Sequence, residues 1–199
     1  MTFLMTFVTM LSLMMQPVDA PPLEIPDYPQ VDGVVAAQSD FFMNETADVG
    51  DPNYIHTYLY EFDSEESATA AMPAICDHME QALLAEEANY GAEANPVIAT
   101  EIGAPGDDRC AFVTDAYSPN LQAAVRVESR VLVFKTGGMG GKMEPFVTEF
   151  FTGYLAGSGK EPLEIPTADD LPEGWVADNE DGPTDILEKV NPEATPAAD

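Results

Sequence analysis

The chain has 199 residues, of which 45% are apolar, so it is long enough for one domain with a buried core and a wholly disordered chain is excluded. It carries 36 acidic and 7 basic residues, which gives a net charge of −29. A field of this sign repels phosphate groups, so nucleic acid is excluded as a partner, whereas cations, basic peptides or a salty medium suit the charge.

Residues 1–20 form a mainly apolar run that ends with Val18 and Ala20 at the −3 and −1 places of a cleavage site. This pattern predicts a secretory signal peptide, although no Lys or Arg precedes the run. The alternative is an uncleaved anchor, for which the run is short, since a membrane span needs about 20 apolar residues. We therefore predict an exported protein, extracellular or in the cell envelope, without stable membrane insertion after cleavage. Residues 21–30 are rich in proline and predict an extended linker.

The strand predicted over residues 55–62 is rich in aromatic and β-branched residues. Because side chains alternate along a strand, His56, Tyr58, Tyr60 and Phe62 share one face. Such a face can line an apolar pocket, so Tyr58, Tyr60 and Phe62 are candidate ligand-binding residues. The other interpretation is that they form ordinary core against the two predicted helices.

A long helix is predicted directly after this strand. Asp63 occupies the place of an N-cap, and Glu66 follows three residues later, as in a capping box. Apolar residues then recur at three- and four-residue steps from Ala68 to Leu83, which is typical of an amphipathic helix. Pro73 falls within this pattern and predicts a kink or two abutting helices.

Five further strands complete the predicted sheet. One precedes the strand–helix unit, within residues 31–43, and short β-like runs follow it over residues 96–102, 110–117, 121–129 and 130–136. The last two runs could be one long strand, because no turn residues divide them. A second helix is predicted over residues 142–156. The predicted fold is therefore α+β, an antiparallel sheet of about five to six strands packed by a long helix and a C-terminal helix, in a single domain over residues 31–157.

The two cysteines, Cys76 and Cys110, predict a disulfide, because an even pair in an exported protein is most simply bonded. This bond would join the long helix to a strand. Two buried free thiols are the alternative.

Residues 158–199 are rich in Pro, Asp, Glu and Ala and predict a mostly irregular acidic tail. Residues 162–166 repeat residues 22–26 exactly in sequence, so the two copies could bracket a module. Part of the tail also approaches the pattern of a calcium loop, although Ala177 stands where the first ligand belongs. A solvated tail is the better interpretation, and no cofactor is predicted besides this candidate calcium site, whose ligands would be Asn179, Asp181, Asp185 and Glu188.

The order of elements over residues 31–157, together with the strand-to-helix junction at residues 60–68, resembles that of exported bacterial domains of the PsbP-like kind, which include sensor and lipoprotein modules. The resemblance implies a non-enzymatic binding or accessory module, by analogy at the level of the fold. It assigns no role to any single residue.

Three functions are compatible with the sequence. The first is a secreted domain that binds a small molecule or a protein without converting it, and no catalytic residue is assigned. The second is a small exported hydrolase that uses carboxylates or a divalent metal. The third is a structural or solvating protein of the cell envelope, and the acidic tail favours this function.

Overall fold

A computed structural model describes residues 25–48, 50–103, 106–138, 148–149, 163–179 and 181–192. The predicted signal peptide and the first part of the predicted linker lie outside these residues. The helix predicted over residues 142–156 also lies outside them, apart from Thr148 and Glu149, which are helical. None of the helices in the described ranges is long and apolar enough to cross a membrane.

The fold is α+β and is built on an antiparallel sheet, as predicted. The strand order is β3-β4-β5-β6-β2-β1-β7, and β8 pairs with the same strand as β7. The strands are β1 (Val34–Asn44), β2 (Pro52–Phe62), β3 (Val97–Ala99), β4 (Asp108–Thr114), β5 (Asn120–Val127), β6 (Arg130–Gly138), β7 (Trp175–Ala177) and β8 (Thr184–Asp185). Two helices accompany them, α1 (Glu65–Ala88) and α2 (Leu187–Val190), with short 3-10 turns at Gly91–Glu93 and Ala168–Asp170.

Helix α1 is a single helix that continues past Pro73, which is exposed in its interior. Of the two alternatives predicted at Pro73, a kink or two abutting helices, the second is therefore wrong. The N-cap is Ser64 and not Asp63, because the Ser64 hydroxyl accepts a hydrogen bond from the Ser67 amide at 3.1 Å. The carboxylate of Asp63 instead accepts a hydrogen bond from the Ser64 hydroxyl.

A tight turn separates β5 from β6, so these are two strands and not one. Glu128 adopts a positive φ of 53° in this turn, which is uncommon for a residue other than glycine. Its amide donates to a carboxylate oxygen of Asp107, and its carbonyl accepts from Arg126. These contacts, from the loop before β4 and from β5, stabilise the turn. The residues of the turn itself did not predict it.

The predicted disulfide is confirmed. Cys76 on α1 and Cys110 on β4 are bonded, with their Cα atoms 6.1 Å apart. The bond ties α1 to the half of the sheet on which it mainly packs, β4 and β5. The apolar side chains between α1 and the sheet include Met72, Ile75 and Met79.

The other face of the sheet has a second core, and part of the tail lies on it. Leu163 and Trp175 are buried there against Phe42 and Phe134. Much of residues 163–179 and 181–192 lacks regular structure, yet these residues also supply β7, β8 and α2. The sheet therefore has eight strands where about five to six were predicted, because the tail adds two short strands to the free edge of β1.

The two copies of the repeated sequence lie in different environments. In the second copy, Leu163 and Ile165 are buried in the second core, and the Leu163 carbonyl accepts a hydrogen bond from Arg130 at 2.6 Å. Of the first copy, the described residues Ile25 and Pro26 line a cleft near α1.

Candidate functional site

A row of polar side chains crosses three neighbouring strands on the face that α1 covers. His56 on β2 is directly opposite Lys135 on β6, which is opposite Gln122 on β5. Side chains opposite one another in an antiparallel sheet have their Cβ atoms about 5 Å apart, so the three lie side by side. All three line a cleft with a volume of about 1280 Å³, of which this row forms the floor together with Tyr58 and Val133.

Helix α1 contributes small side chains to the cleft. In the first half of the helix, large side chains such as Met72 and Ile75 are buried in the core between α1 and the sheet. Further along, Ala82 and Ala85 line the cleft instead. Their single methyl groups leave a gap between the helix and the polar row.

The wall opposite α1 is the segment that precedes β1. The ring of Tyr28 contacts that of Tyr58 edge-on, with 5.1 Å between the ring centroids. The ammonium group of Lys189 lies 5.4 Å from the centre of the Tyr28 ring, and the Gln30 side chain donates to the Lys189 carbonyl. These contacts hold residues 25–29 against the sheet, and the segment lines the cleft along this length.

Five rings run in sequence along this side of the sheet. Phe41 stacks on Tyr54 with centroids 5.9 Å apart and meets His56 edge-on at 5.5 Å. His56 in turn lies 4.3 Å from Tyr58, which contacts Tyr28. The continuous contact fixes the orientation of the two rings that line the cleft floor, His56 and Tyr58.

His56 is neutral at pH 7. Burial lowers its pKa from 6.5 to about 4, the positive charge of Lys135 acts in the same direction, and the carboxylate of Asp27 opposes both. Its Nδ1 atom is 2.8 Å from the hydroxyl of Tyr58, and either atom can be the donor. Burial, followed by the nearby Tyr28 and Asp27, raises the pKa of Tyr58, so this phenol also stays neutral.

The second histidine in the cleft, His78, is neutral for the same main reason. Burial lowers its pKa and Lys135 adds to this effect, while a hydrogen bond to the backbone of Asp27 and the charge of Asp77 act against it. The cleft therefore contains two uncharged imidazoles, and one hydrogen-bonding position of each is already used within the protein, by Tyr58 for His56 and by the Asp27 backbone for His78.

Among the described residues, Lys135 differs from Arg126 and Arg130 in that it forms no ion pair. Arg126 lies 3.0 Å from Asp108, and Arg130 lies 2.8 Å from Glu61. Within the described part of the chain, no carboxylate lies within 4.0 Å of the Lys135 ammonium group. In a chain of charge −29, a half-buried lysine without such a partner is available to a ligand.

The end of the cleft carries a fixed carboxylate. Glu86 on α1 accepts a hydrogen bond from the Asn120 side chain at 3.0 Å, and the Tyr54 hydroxyl donates to the same Asn120 side chain at 3.2 Å. Gly137 lies between Tyr54 and Asn120 on the intervening strand. A Cβ atom there would overlap the Asn120 side chain, so only glycine permits this bond across β6.

The structure separates the three predicted ligand-binding residues. Tyr58 lines the cleft, whereas Tyr60 and Phe62 are buried in the core beneath α1. Tyr60 is fully buried, and its hydroxyl has no hydrogen-bond partner in the described ranges. The alternation of the strand correctly put all three on one face but not in one pocket.

Sequence reasoning did not assign His56, His78, Lys135, Gln122 or Glu86 to a site. One signal was available for His56, which shares the aromatic face of its strand. Lys135 also falls within a predicted strand of an otherwise acidic chain. Strand register decides which residue of β6 lies opposite His56 and which residue of β5 lies opposite that one. The sequence did not provide this register.

The four candidate calcium ligands lie in and beside β8. Asp185 belongs to this strand and is paired with Gln38 of β1, and its carboxylate accepts a hydrogen bond from the Leu187 amide at 2.9 Å. The side chain of Asn179 bonds within its own turn, to the carbonyl of Gly182 and the amide of Asp181. No three His, Cys, Asp or Glu side chains of the described residues, Glu188 included, are placed to hold a metal ion.

Comparison with models of protein families, with curated proteins and with solved structures gave no match. The arrangement of the cleft is therefore the basis for a functional proposal.

Acid pH should reveal the neutral state of His56. We expect the free energy of unfolding to fall between pH 6.5 and about 4, because the unfolded chain takes up a proton at the ordinary pKa and folded His56 does so only near 4. The His56→Gln variant lacks this contribution and should lose less stability over that interval. Urea unfolding at pH values of about 7 and about 4.5 measures both losses; equal losses in the two proteins would contradict the assignment.

Proposed function

We propose that the chain is an exported domain that binds a small organic molecule in the cleft between α1 and the sheet and does not convert it. The observation that carries the proposal is the half-buried Lys135, which forms no ion pair in the described chain and lies between the neutral His56 and Gln122 on the cleft floor. The lining of this cleft is about half apolar, and polar groups that converge within such a concavity are a usual feature of a ligand site.

The composition of the cleft favours binding over catalysis. Its described lining contains no Ser, Thr or Cys side chain, the nucleophiles that hydrolases with a catalytic triad use. The two carboxylates of the lining, Asp27 and Glu86, lie on opposite walls, and Glu86 is engaged by Asn120. A hydrolase that uses these carboxylates is the alternative.

Export is proposed from three features. The apolar N-terminal run with its small terminal residues suits a signal peptide. The Cys76–Cys110 bond suits an oxidising compartment outside the cytoplasm. The acidic surface suits a salty or cation-rich medium. In addition, the resemblance to exported bacterial PsbP-like domains would place the protein outside a bacterial cell, as a binding or accessory module.

A cleft-filling variant tests the proposal. A library of small metabolites is screened by thermal shift against the wild type, Ala85→Trp and Leu84→Trp. Ala85 lines the cleft, whereas the neighbouring Leu84 is 42% exposed and is not part of the lining. We expect compounds that raise the melting temperature of the wild type and of Leu84→Trp, since a ligand of the folded state at 100 times its Kd adds about 2.7 kcal/mol. Ala85→Trp should lose this response.

Two outcomes would contradict the proposal. A screen without any compound sensitive to Ala85→Trp would leave the cleft without a binding role and would favour the structural or solvating function in the envelope. Consumption of the bound compound, followed by mass spectrometry, would favour the hydrolase.

A further inference from the structure

We propose that the ligand of this cleft is a zwitterion of the size of a short peptide, whose carboxylate binds Lys135 and whose ammonium group binds at the acidic walls. This inference rests on the function proposed above and adds the chemical class of the ligand. It is argued from the positions of the charges, the net charge of the chain and the volume of the cleft.

The floor of the cleft carries one positive charge with hydrogen-bonding groups on both sides. Lys135 supplies the charge, and the side chains of His56 and Gln122 on the adjacent strands can donate to an oxygen bound beside it. The two histidines add no charge, so one carboxylate balances the floor. A phosphate monoester or a dicarboxylate carries about two negative charges, which is one more than the single charge of Lys135 balances.

The walls of the cleft carry the opposite charge. Glu86 projects from α1, where Asn120 fixes its carboxylate, and Asp27 lies on the facing segment. Neither of them forms an ion pair with Lys135, Arg126 or Arg130 in the described structure. An ammonium group held above the floor would therefore have a carboxylate on either side.

The net charge of the chain also favours a zwitterionic ligand. A ligand with a net negative charge is repelled by a protein of charge −29, whereas a zwitterion is not. A simple cation would be attracted to the surface but would meet Lys135 on the cleft floor. A molecule that carries both charges matches the inner lysine and the outer carboxylates together.

The volume sets the size of the molecule. At about 1280 Å³, the cleft is larger than ordinary ligand sites, which measure about 300–1,000 Å³. Apolar side chains lie on both sides of the polar row, including Ile25 and Pro26 on one wall and Met79 and Ala82 on the other. A single amino acid would leave much of this space unused, whereas a dipeptide or tripeptide with apolar side chains would fill more of it.

The test uses a panel of apolar dipeptides and tripeptides in three forms: with free ends, with an acetylated amino end and with an amidated carboxyl end. Binding to the full mature chain is measured by calorimetry. We expect the peptides with free ends to bind, and each blocked form to bind at least about tenfold more weakly, since charge-assisted contacts are lost. Single amino acids should bind more weakly than the peptides.

Substitutions at Lys135 and Glu86 test which residue binds each end of the peptide. Lys135→Gln should weaken binding of the free peptide at least about tenfold and remove the preference for a free carboxyl end, and Lys135→Arg should retain the preference. Glu86→Gln should reduce the preference for a free amino end. Glu80→Gln, on the same helix but outside the lining, is the control and should leave both preferences unchanged.

The outcomes separate this inference from the proposed function. Equal binding of free and blocked peptides, or no binding of any peptide, would overturn the inference that the ligand is a zwitterion. If the metabolite screen still yields compounds that Ala85→Trp rejects, the cleft remains a ligand site for another chemical class. If it yields none, both proposals are overturned.

Discussion

The Trp175→Ala variant is expected to lower the free energy of unfolding by about 3–5 kcal/mol, the usual cost of removing a large aromatic side chain from a core. Trp175 is buried among the side chains on the face of the sheet opposite α1, although it belongs to the acidic segment that the sequence predicts to be a tail. Unfolding in urea, followed by circular dichroism, measures the loss.

Val176→Ala is the matched control for this variant. Val176 follows Trp175 in the same strand, points to the opposite face and is 39% exposed, so its truncation should cost less than about 1 kcal/mol. A loss for Trp175→Ala as small as that for Val176→Ala would contradict the contribution of buried Trp175 to the stability of the domain. The wild type offers a second readout, because Trp175 is its only tryptophan and its fluorescence reports on this core.

The double variant Cys76→Ser, Cys110→Ser is expected to lose about 3–4 kcal/mol of unfolding free energy. The bond closes a loop with a sequence separation of 34 residues, and loops of this length lose about that much conformational entropy in the unfolded chain when they are cross-linked. It also attaches α1, which forms one wall of the cleft, to β4.

Unfolding of the wild type in the presence of a reductant is the control for this second variant. The reduced wild type and the double variant should unfold at similar urea concentrations, both well below that of the oxidised wild type. A double variant as stable as the oxidised wild type would mean that the cross-link contributes little beyond the packing of α1. Removal of one cysteine alone is a poorer test, because it leaves a reactive thiol.

Local patterns in the sequence were sufficient for the central part of the fold. The alternation of residues 55–62 and the helical spacing from Ala68 to Leu83 each depend on near neighbours, so the strand, the helix and the faces they bury followed from the sequence. The disulfide followed from the count of cysteines. The N-cap was predicted one residue too early, since Asp63 and Ser64 are both good capping residues and only the hydrogen bonds distinguish them.

Contacts between distant segments decided what the local patterns missed. The turn at Glu128 is stabilised by a carboxylate oxygen of Asp107, which lies on another loop and accepts a hydrogen bond from the Glu128 amide. In the tail, Leu163 and Trp175 follow no period of a strand or helix, so their burial could not be predicted from spacing. Acidic, proline-rich composition is typical of a solvated segment, and it gives no sign of the few apolar residues that attach the segment to the sheet.

By itself, the sequence determined an acidic α+β domain with one cross-link and placed Tyr58 on the face that lines the cleft. Only the tertiary structure brought His56, Lys135 and Gln122 into one row, since a slip of one residue in either strand pairing would turn these side chains to opposite faces. It also set the alanines of α1 above that row and left the gap. Strand register and helix position arise from the packing of the whole core, and for that reason the site could not be predicted from any single segment.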